Sequence, residues 1–222
     1  MRLLQATNTF VLILSTLLCL QGQSTPHKDA QTDTKGIPPR AAPGDYQSQG
    51  QAGTVTIAAE FTGHSLPTLE GPLTTEDYVA VETALFGPVG AQIKISAADF
   101  SLRVNGKKTP LPSQPYGLIV TSLKDPEWVP PESPAPKSKS SIGGGGQGQG
   151  DSNVPAAPVK IPVPVQRAMA QRVQKASLPE GDRALPQAGL IFFQYRGKDK
   201  NLQSVELLYD GPAGKASLKL QP

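Results

Sequence analysis

The sequence predicts an all-β protein whose strands pack as one β-sandwich. Three observations support this fold class. Apolar and polar residues alternate in most segments of residues 54–125 and again in residues 185–222, and this is the period of half-buried strands. Turn-forming residues separate the segments at short intervals, as in sandwiches and barrels. The only cysteine, Cys19, stands in an apolar leader, so packing rather than disulfide bonds must hold the core.

Residues 1–22 have the pattern of a secretory signal peptide. Arg2 provides a basic start, and the run Phe10–Leu20 is almost entirely apolar. A helix of that length spans about 16 Å, against roughly 30 Å of bilayer hydrocarbon, so an uncleaved membrane anchor is the less favoured alternative. Lipid attachment at Cys19 is disfavoured because two leucines precede it. We therefore expect cleavage near Gly22, export to the periplasm or cell exterior, and no transmembrane segment afterwards.

The chain after the leader divides by composition into a polar lead and a strand-rich part. Residues 23–53 are polar, lack a hydrophobic period and predict a disordered lead. Residues 54–125 predict the first part of the sandwich. Asn105-Gly106 predicts a type I′ turn, which requires positive φ at both positions. The predicted strands are Thr54–Phe61, Tyr78–Phe86, a segment containing Ile93 and Ile95, Phe100–Val104 and Gly117–Leu123.

A Pro/Gly-rich insert interrupts the strand pattern. Residues 126–164 include the run GGGGQGQG and several proline clusters, which predict a disordered linker. Residues 165–184 predict a short helix, at 165–177, followed by a loop, because apolar residues recur there every three or four positions. The predicted apolar face consists of Val165, Met169, Val173 and Ala176.

Residues 185–222 predict the last strands of the same sandwich. They contain three apolar segments separated by two short turns, which we interpret as a meander. Fewer than 40 residues cannot bury a stable core alone, so these strands need the first part as a partner. The predicted strands are Gly189–Tyr195, Ser204–Tyr209 and Lys215–Leu220.

The side chains that usually carry chemistry are few and scattered. The two histidines, His27 and His64, belong to no HExxH pattern, and no GxSxG pattern is present. The run Gly143–Gly150 lacks the Lys-Ser/Thr of a phosphate-binding loop. The sequence therefore predicts no catalytic residue, no cofactor-binding residue and no metal ligand. Neighbouring carboxylates stand at loop edges without calcium-site spacing: Glu76 and Asp77, Asp125 and Glu127, and Glu180 and Asp182.

The charge balance argues against nucleic acid and anionic membranes as partners. The chain has 21 Lys and Arg residues against 18 Asp and Glu residues, a net charge of +3. The charges are interspersed, and no long basic run is present.

Trp128 and Tyr116 are the candidate binding residues. Trp128 is the only tryptophan, and Tyr116 is near it in the chain. Exposed together on a rim of the sandwich, the two rings could stack on a sugar or anchor a protein partner. The favoured alternative is structural: Trp128 closes the open end of the sandwich where the insert departs.

Two pairs of segments carry a resemblance to a known family. They are DFSLRVNGKKTPLPSQP with SLKDPEW, and LPQAGLIFFQYRG with YDGPAGKASLKLQP. Together they resemble a family of exported proteins of acidobacterial-type soil bacteria, over most of residues 54–222. The resemblance implies an immunoglobulin-like or telokin-like β-sandwich. It implies no activity, ligand or catalytic residue, and the Cys-Trp-Cys pattern of antibody-type domains is absent.

These observations favour an exported, non-catalytic binding or scaffolding module that binds a protein or an envelope polymer of unknown identity. One alternative is a module that binds carbohydrate or another envelope polymer through Trp128. The other is a hydrolase that uses a carboxylate pair, which needs two acids about 5–10 Å apart in one cleft. The fold class does not decide between them, because sandwiches host many functions.

Overall fold

A computed structural model describes residues 35–129 and 161–222. The expected signal peptide (1–22), residues 23–34 of the expected lead and most of the expected linker lie outside the described residues. Strands contain 45% of the described residues and helices 18%, which confirms the all-β class. In chain order the elements are β1 (Ser48–Ala52), β2 (Val55–Gly63), β3 (Ser65–Leu66), β4 (Leu73–Thr75), β5 (Tyr78–Phe86), β6 (Gln92–Ile95), β7 (Phe100–Val104), β8 (Leu111–Gln114), β9 (Leu123–Lys124), α1 (Val163–Ala176), β10 (Gly181–Ala184), β11 (Gln187–Gln194), β12 (Val205–Gly211) and β13 (Gly214–Leu220).

Eight strands form one antiparallel sheet that is nearly barrel-shaped. Its order is β1-β2-β5-β11-β8-β7-β12-β13. The two end strands approach each other, and the Gln47 Nε2 group donates a hydrogen bond to the Gln221 carbonyl oxygen at 3.0 Å. A Cβ atom on Gly50 of β1 would lie 3.2 Å from Leu218 Cδ1 of β13, so the small residue allows this approach. Two smaller sheets, β6-β10 and β3-β4-β9, complete the strand structure of the described residues.

The interior of the large sheet holds the main hydrophobic core. Alternate residues of β2, β5 and β11 face alternate residues of β7, β12 and β13, as expected for strands with one face inward. Strands on both sides of the insert therefore share one core. Its largest members include Ile57, Leu85, Phe100, Leu102, Ile191, Phe193, Leu207 and Tyr209.

The opposite faces of β5 and β11 are also buried. Helix α1 covers part of this outer face, where Met169, Val173 and Ala176 pack against side chains of β5 and β11. The helix begins two residues before the predicted span and presents the predicted face. Burial on both faces explains why β5 is continuously apolar and aromatic except for Glu82 and Thr83. The strand residues under the helix are Ala80, Leu190 and Phe192.

Strand β11 has a gap along one edge that other segments fill. It pairs with β5 over its whole length but with β8 only at Phe192 and Phe193. The remaining edge is occupied by two isolated bridges, Ile37 to Ala188 and Ser177 to Leu190. The second bridge brings the backbone of Leu178 against Gly189, where a Cβ atom would lie 2.4 Å from Leu178 Cα. Gly189 is therefore required by close backbone packing.

Three expectations from the sequence are wrong. Residues 35–53 are ordered, and β1 pairs with β2 through a turn at Gly53, where φ is 56°. Their polar composition is typical of a strand at the end of a sheet. Disordered segments have a similar composition, which is why the sequence predicted a disordered lead. Residues 117–122 form 3-10 turns instead of a strand, and of the predicted strand only Leu123 lies in one, β9; the buried residues of this stretch, Ile119 and Leu123, are four positions apart, which suits turns better than a strand. The final meander is replaced by a β12-β13 hairpin, with β11 inserted between β5 and β8.

The Asn105-Gly106 turn forms with positive φ at both positions, 51° and 66°. The connection to β8 is longer than two residues, however, because the ladder begins at the pair Leu102 and Leu111. Asn105 is fixed by side-chain hydrogen bonds: its Oδ1 accepts from the backbone of Gln203 at 2.8 Å, and its Nδ2 donates to the Asn201 carbonyl oxygen at 2.9 Å. The turn thereby joins the β7-β8 connection to the segment before β12.

A charged network on the outer face of β7, β12 and β13 makes stability depend on pH. The hydrogen bond from the Ser217 hydroxyl is the main cause that lowers the pKa of Glu206, and Arg103 adds to it against the opposing effect of burial. A carboxylate whose pKa is lower in the folded state stabilises the fold above its unfolded pKa, and this contribution is lost as the pH falls through the folded-state pKa.

We expect the variant Glu206→Gln to lose less unfolding free energy than the wild type when the pH is lowered from about 6 to about 3, the range that contains ordinary carboxylate pKa values. Urea unfolding at several pH values measures this. The matched control is Glu127→Gln, which changes an exposed carboxylate. Equal pH dependence of the wild type and Glu206→Gln would contradict the role of Glu206.

Candidate functional site

Arg172 of helix α1 binds two segments that lie beside the helix. The Arg172 side chain is only 12% exposed, and its Nη1 atom lies 2.7 Å from Asp125 Oδ2. Its Nη2 atom donates to the carbonyl oxygens of Gly71, at 2.9 Å, and Glu70, at 3.3 Å. Its Nε atom donates to Thr68 Oγ1 at 3.4 Å. A single guanidinium therefore ties the helix to the β3–β4 loop and to the segment that follows β9, with a geometry that suits its planar fork of donors.

A small hollow lies between the β3–β4 loop and α1. The space of about 170 Å³ inside it includes open solvent, so the enclosed part is far smaller than the roughly 300–1,000 Å³ of typical small-molecule pockets. The charged groups in its wall are paired, since Lys175 Nζ lies 3.1 Å from Glu70 Oε1 and Arg172 binds Asp125. The hollow is lined by Thr68, Leu69, Glu70, Arg172, Lys175 and Ala176. Its size and pairing favour a packing feature over a pocket for a small molecule.

The two predicted binding residues lie on the segment that borders α1. Tyr116 begins a 3-10 turn that contacts α1, and its half-buried ring packs against the core cluster beneath the helix. Trp128 is half-buried, and its backbone N–H group donates to the Asp125 carbonyl oxygen at 3.2 Å. The aromatic contacts found in the described residues do not include one between these two rings. Each ring belongs to a partly exposed residue, and a second 3-10 turn and β9 separate the two in the chain.

Exposed apolar side chains occur on α1 and on segments that contact it. Five large apolar residues are strongly exposed in residues 35–129 and 161–222, and four of them stand in α1, in the β3–β4 loop, in the 3-10 turn after β8 or in the segment after β9, each of which contacts α1. The fifth, Val89, is in the turn after β5. The four are Leu69 (68% exposed), Leu118 (52%), Val129 (81%) and Val163 (56%). We use the name α1 rim for these four residues together with Tyr116 and Trp128.

The sequence predicted only part of the α1 rim. Trp128 and Tyr116 were predicted from residue type. Leu118 was assigned to a predicted strand, and Leu69, Val129 and Val163 were not singled out, because the arrangement of loops around α1 depends on tertiary packing. Two of the three basic residues of α1, Arg172 and Lys175, form ion pairs within the molecule, while Arg167 stays exposed.

His64 is held in place by backbone groups. Its Nδ1 atom lies 2.7 Å from the Tyr78 carbonyl oxygen, and its Nε2 atom lies 2.8 Å from the Gly197 carbonyl oxygen. Asp199 Oδ1 is 3.5 Å from the same Nε2 atom, and the imidazole stacks on Tyr195. These contacts join the β11–β12 connection to the start of β5, so His64 links two segments. His27 lies outside the described residues.

The carboxylates that are neighbours in the sequence have separate partners. Glu76 pairs with Lys124 at 2.5 Å, and that hydrogen bond lowers the pKa of Glu76. Three of the others also have partners of their own: Asp77 with Arg196, Asp125 with Arg172, and Glu180 with the backbone N–H of Ala97. No group of three or more His, Cys, Asp or Glu side chains suited to a metal ion occurs in residues 35–129 and 161–222.

One pair of acidic residues that face each other across two strands was not predicted from the sequence. Glu60 of β2 and Glu82 of β5 stand directly opposite each other in the ladder. Arg40 lies between them, with Nη1 at 2.5 Å from Glu60 Oε2 and Nη2 at 3.1 Å from Glu82 Oε2. The three residues are far apart in the chain and meet only through strand register. The available signal was a single glutamate in each of two apolar strands.

Compared with family models, with curated proteins and with solved structures, the chain matches none. The helices within the described residues are all too short or too polar to cross a bilayer.

Proposed function

We propose that the protein is an exported, non-catalytic binding module of the periplasm or cell exterior, and that the α1 rim is its binding surface. The observation that carries the proposal is that four of the five strongly exposed large apolar residues in the described part of the chain stand on α1 or on segments that contact it. Soluble proteins that expose clustered apolar side chains next to polar ones commonly use them to bind a partner. The partner is a protein or an envelope polymer.

The rigid attachment of α1 supports this assignment. Arg172 and the buried face of α1 fix the helix against the sheet, so the bordering loops present the rim in a defined arrangement. A preorganised surface loses less conformational entropy on binding than a mobile one.

The finer architecture and family are part of the same proposal. The order of the sheet separates β1-β2-β5-β11 from β8-β7-β12-β13, and only two residue pairs join β11 to β8. Two four-stranded halves across one core are compatible with an immunoglobulin-like sandwich. We propose this arrangement and the acidobacterial-type exported family on the segments quoted above.

A module for carbohydrate or another envelope polymer is the second candidate. The partly accessible rings of Trp128 and Tyr116 favour it, since aromatic faces can stack on sugar rings. For a hydrolase, the relevant pair is Glu60 and Glu82, but both carboxylates are bound by Arg40. That neutralisation favours a structural role for the pair.

The test compares rim variants with a matched variant elsewhere. We expect Leu118→Asp and Val129→Asp each to weaken binding roughly tenfold, since one apolar side chain contributes about 1.5 kcal/mol on burial and 1.4 kcal/mol corresponds to a factor of ten. The probes are a panel of purified envelope polysaccharides and a library of immobilised peptides, read out by Trp128 fluorescence and by retention.

The control is Val89→Asp, an exposed valine away from the rim, which should bind as the wild type does. Unchanged binding of both rim variants would place the binding surface elsewhere. Fluorescence changes with polysaccharides alone would select the second candidate over a protein partner.

A further inference from the structure

The turn between β7 and β8 contains the residue pair of this chain whose chemistry most favours deamidation. Of the four asparagines in the sequence, only Asn105 is followed by glycine. The backbone nitrogen of the following residue can attack an asparagine side chain, and glycine has no Cβ atom to obstruct that approach. A Cβ atom on Gly106 would meet nothing within 4 Å, and both residues are exposed, so water and base reach the turn.

Deamidation at this pair needs only water and a base. The base removes the proton from the Gly106 backbone nitrogen, which then attacks Asn105 Cγ. A new C–N bond closes a succinimide ring, the bond from Cγ to Nδ2 breaks, and Nδ2 leaves as ammonia after taking a proton from water. Water then adds to either ring carbonyl and breaks its bond to nitrogen, which leaves aspartate or isoaspartate. Nothing is oxidised or reduced, because the overall reaction exchanges ammonia for water.

Three hydrogen bonds fix the Asn105 side chain against the segment before β12. Its Oδ1 atom accepts from the backbone N–H groups of Gln203, at 2.8 Å, and Ser204, at 3.2 Å. Its Nδ2 atom donates to the Asn201 carbonyl oxygen at 2.9 Å. We use the name Asn105 clamp for these three bonds. The attack requires Cγ to come within bonding distance of the Gly106 nitrogen and Nδ2 to leave as ammonia. The clamp opposes both, since it holds the oxygen and the nitrogen of the same amide in fixed positions.

The backbone of the turn is fixed by hydrogen bonds as well. The Asn105 N–H donates to the Ser204 carbonyl oxygen at 2.8 Å, and the Lys107 N–H closes the turn by donating to the Val104 carbonyl oxygen at 3.1 Å. The turn is therefore protected by hydrogen bonds and not by burial. This protection lasts only as long as residues 201–204 stay in place.

We propose that Asn105 is a modification site that the folded protein keeps closed. Asn105 deamidates whenever residues 201–204 detach, and it stays intact while the Asn105 clamp is formed. The clamp cannot form again afterwards, because aspartate and isoaspartate both lack the Nδ2 donor that binds the Asn201 carbonyl oxygen. Isoaspartate also lengthens the main chain of the turn by a carbon atom. Deamidation therefore marks a chain that has opened, and it permanently weakens the junction of β7 and β12 in that chain.

The rate of conversion in folded and in unfolded protein tests this protection. The full chain is kept in mildly alkaline buffer, with or without enough guanidinium chloride to unfold it, and peptide mass spectrometry follows each asparagine. We expect Asn105 to convert about a hundredfold faster in the unfolded protein, which corresponds to an opening free energy of about 2.8 kcal/mol. Three hydrogen bonds of typical net strength set this scale. Asn201, which is followed by leucine, is the internal control and should convert far more slowly than Asn105 in the unfolded chain.

A matched pair of variants tests the clamp within the folded protein. Gln203→Pro removes the N–H group that donates to Asn105 Oδ1, whereas Gln203→Ala retains it. Leu202, the preceding residue, already has the extended conformation that is preferred before proline, with φ −86° and ψ 112°. We expect Asn105 to convert about tenfold faster in folded Gln203→Pro than in Gln203→Ala, because one lost bond of about 1.4 kcal/mol has that effect. Trp128 emission shows whether both variants are folded.

Two further measurements do not depend on how well Gln203→Pro folds. In guanidinium chloride, Gly106→Ala should slow the conversion of Asn105 several-fold, since the alanine side chain obstructs the attack. Wild-type protein that is converted while unfolded and then refolded should melt several degrees lower than a refolded control. The control is unfolded in mildly acidic guanidinium chloride, where the base-dependent attack does not proceed.

Conversion of Asn105 at equal rates in folded and unfolded protein would overturn the proposal, because the clamp then gives no protection. The proposal is also overturned if Asn201 converts as fast as Asn105 in the unfolded chain, or if folded Gln203→Pro converts no faster than Gln203→Ala. Equal melting of the two refolded samples would contradict the permanent weakening. The Asn105 clamp shares no residue with the α1 rim, so these outcomes are independent of the test of the proposed function.

Discussion

The variant Gly189→Ala is expected to lower the free energy of unfolding by about 3 kcal/mol or more, at the upper end of the range for overpacking. The added Cβ atom would lie 2.4 Å from Leu178 Cα, 2.5 Å from Leu178 N and 2.7 Å from Ser177 C. All three are backbone atoms, so the strain cannot be relieved by rotating a side chain. The bond from the Leu178 N–H to the Leu190 carbonyl oxygen, 3.0 Å long, would be broken or lengthened.

The cost of the clash exceeds the intrinsic gain of replacing glycine by alanine, so the net effect is destabilising. Alanine in place of glycine in a strand is intrinsically favourable by roughly 0.5–1 kcal/mol, which is smaller than the cost of the clash. The matched control is Gly117→Ala, where a Cβ atom meets nothing within 4 Å. Urea unfolding of both variants provides the measurement. A Gly189→Ala protein as stable as Gly117→Ala would show that the segment after α1 does not pack as described.

The second large effect is expected from Arg172→Ala, at about 2–4 kcal/mol of unfolding free energy. Removing one partner of a largely buried ion pair leaves the other carboxylate, Asp125, without compensation. The carbonyl oxygens of Glu70 and Gly71 also lose their donor. Arg172→Lys should recover only part of the loss, because an ammonium cannot reproduce the fork of donors.

A local readout separates this effect from general destabilisation. Trp128 is three residues after Asp125 and bonded to its carbonyl oxygen, so its emission should shift to longer wavelength in Arg172→Ala under native conditions. The control is Arg167→Ala on the exposed side of the same helix, which should leave both stability and emission nearly unchanged. Unaltered emission and stability in Arg172→Ala would contradict the role of Arg172 in fastening α1.

The strands with a regular hydrophobic period were predictable from the sequence. Residues 78–86 were predicted as a buried strand, and β5 has those bounds. The apolar spacing of Met169 and Val173 likewise predicted the inward face of α1. In these elements local pattern and tertiary burial agree, which is the condition for a reliable prediction.

The strands without such a pattern were not predictable. β1 is polar because its neighbours cover only one of its sides. β10 pairs with β6 through residues Gly181–Ala184, and only the last of these is apolar. The position of β11 between β5 and β8 depends on pairing across more than 70 residues of chain. No local signal in the sequence carries that information.

The candidate site was predictable only by residue type. A lone tryptophan suggested a binding position, but the neighbours that make up the α1 rim come from four separate segments. The sequence did not indicate the group of Arg40, Glu60 and Glu82 either. Only the strand register brings the two glutamates opposite each other. Tertiary arrangement, rather than composition, creates both surfaces.

The central place of β11 has a consequence for the order in which the chain folds. Its partners β5 and β8 both precede it by a long stretch of chain, so the sheet of the first part has two open edges until residues 187–194 are added. Pairings between distant residues form slowly, since the entropy of closing a long loop is lost before the contacts compensate for it. Folding of this sheet therefore completes only after residues 187–194 have been added. For a protein exported as proposed, this delay would keep the chain unfolded, and thus able to cross a membrane, until residues 187–194 have been synthesised.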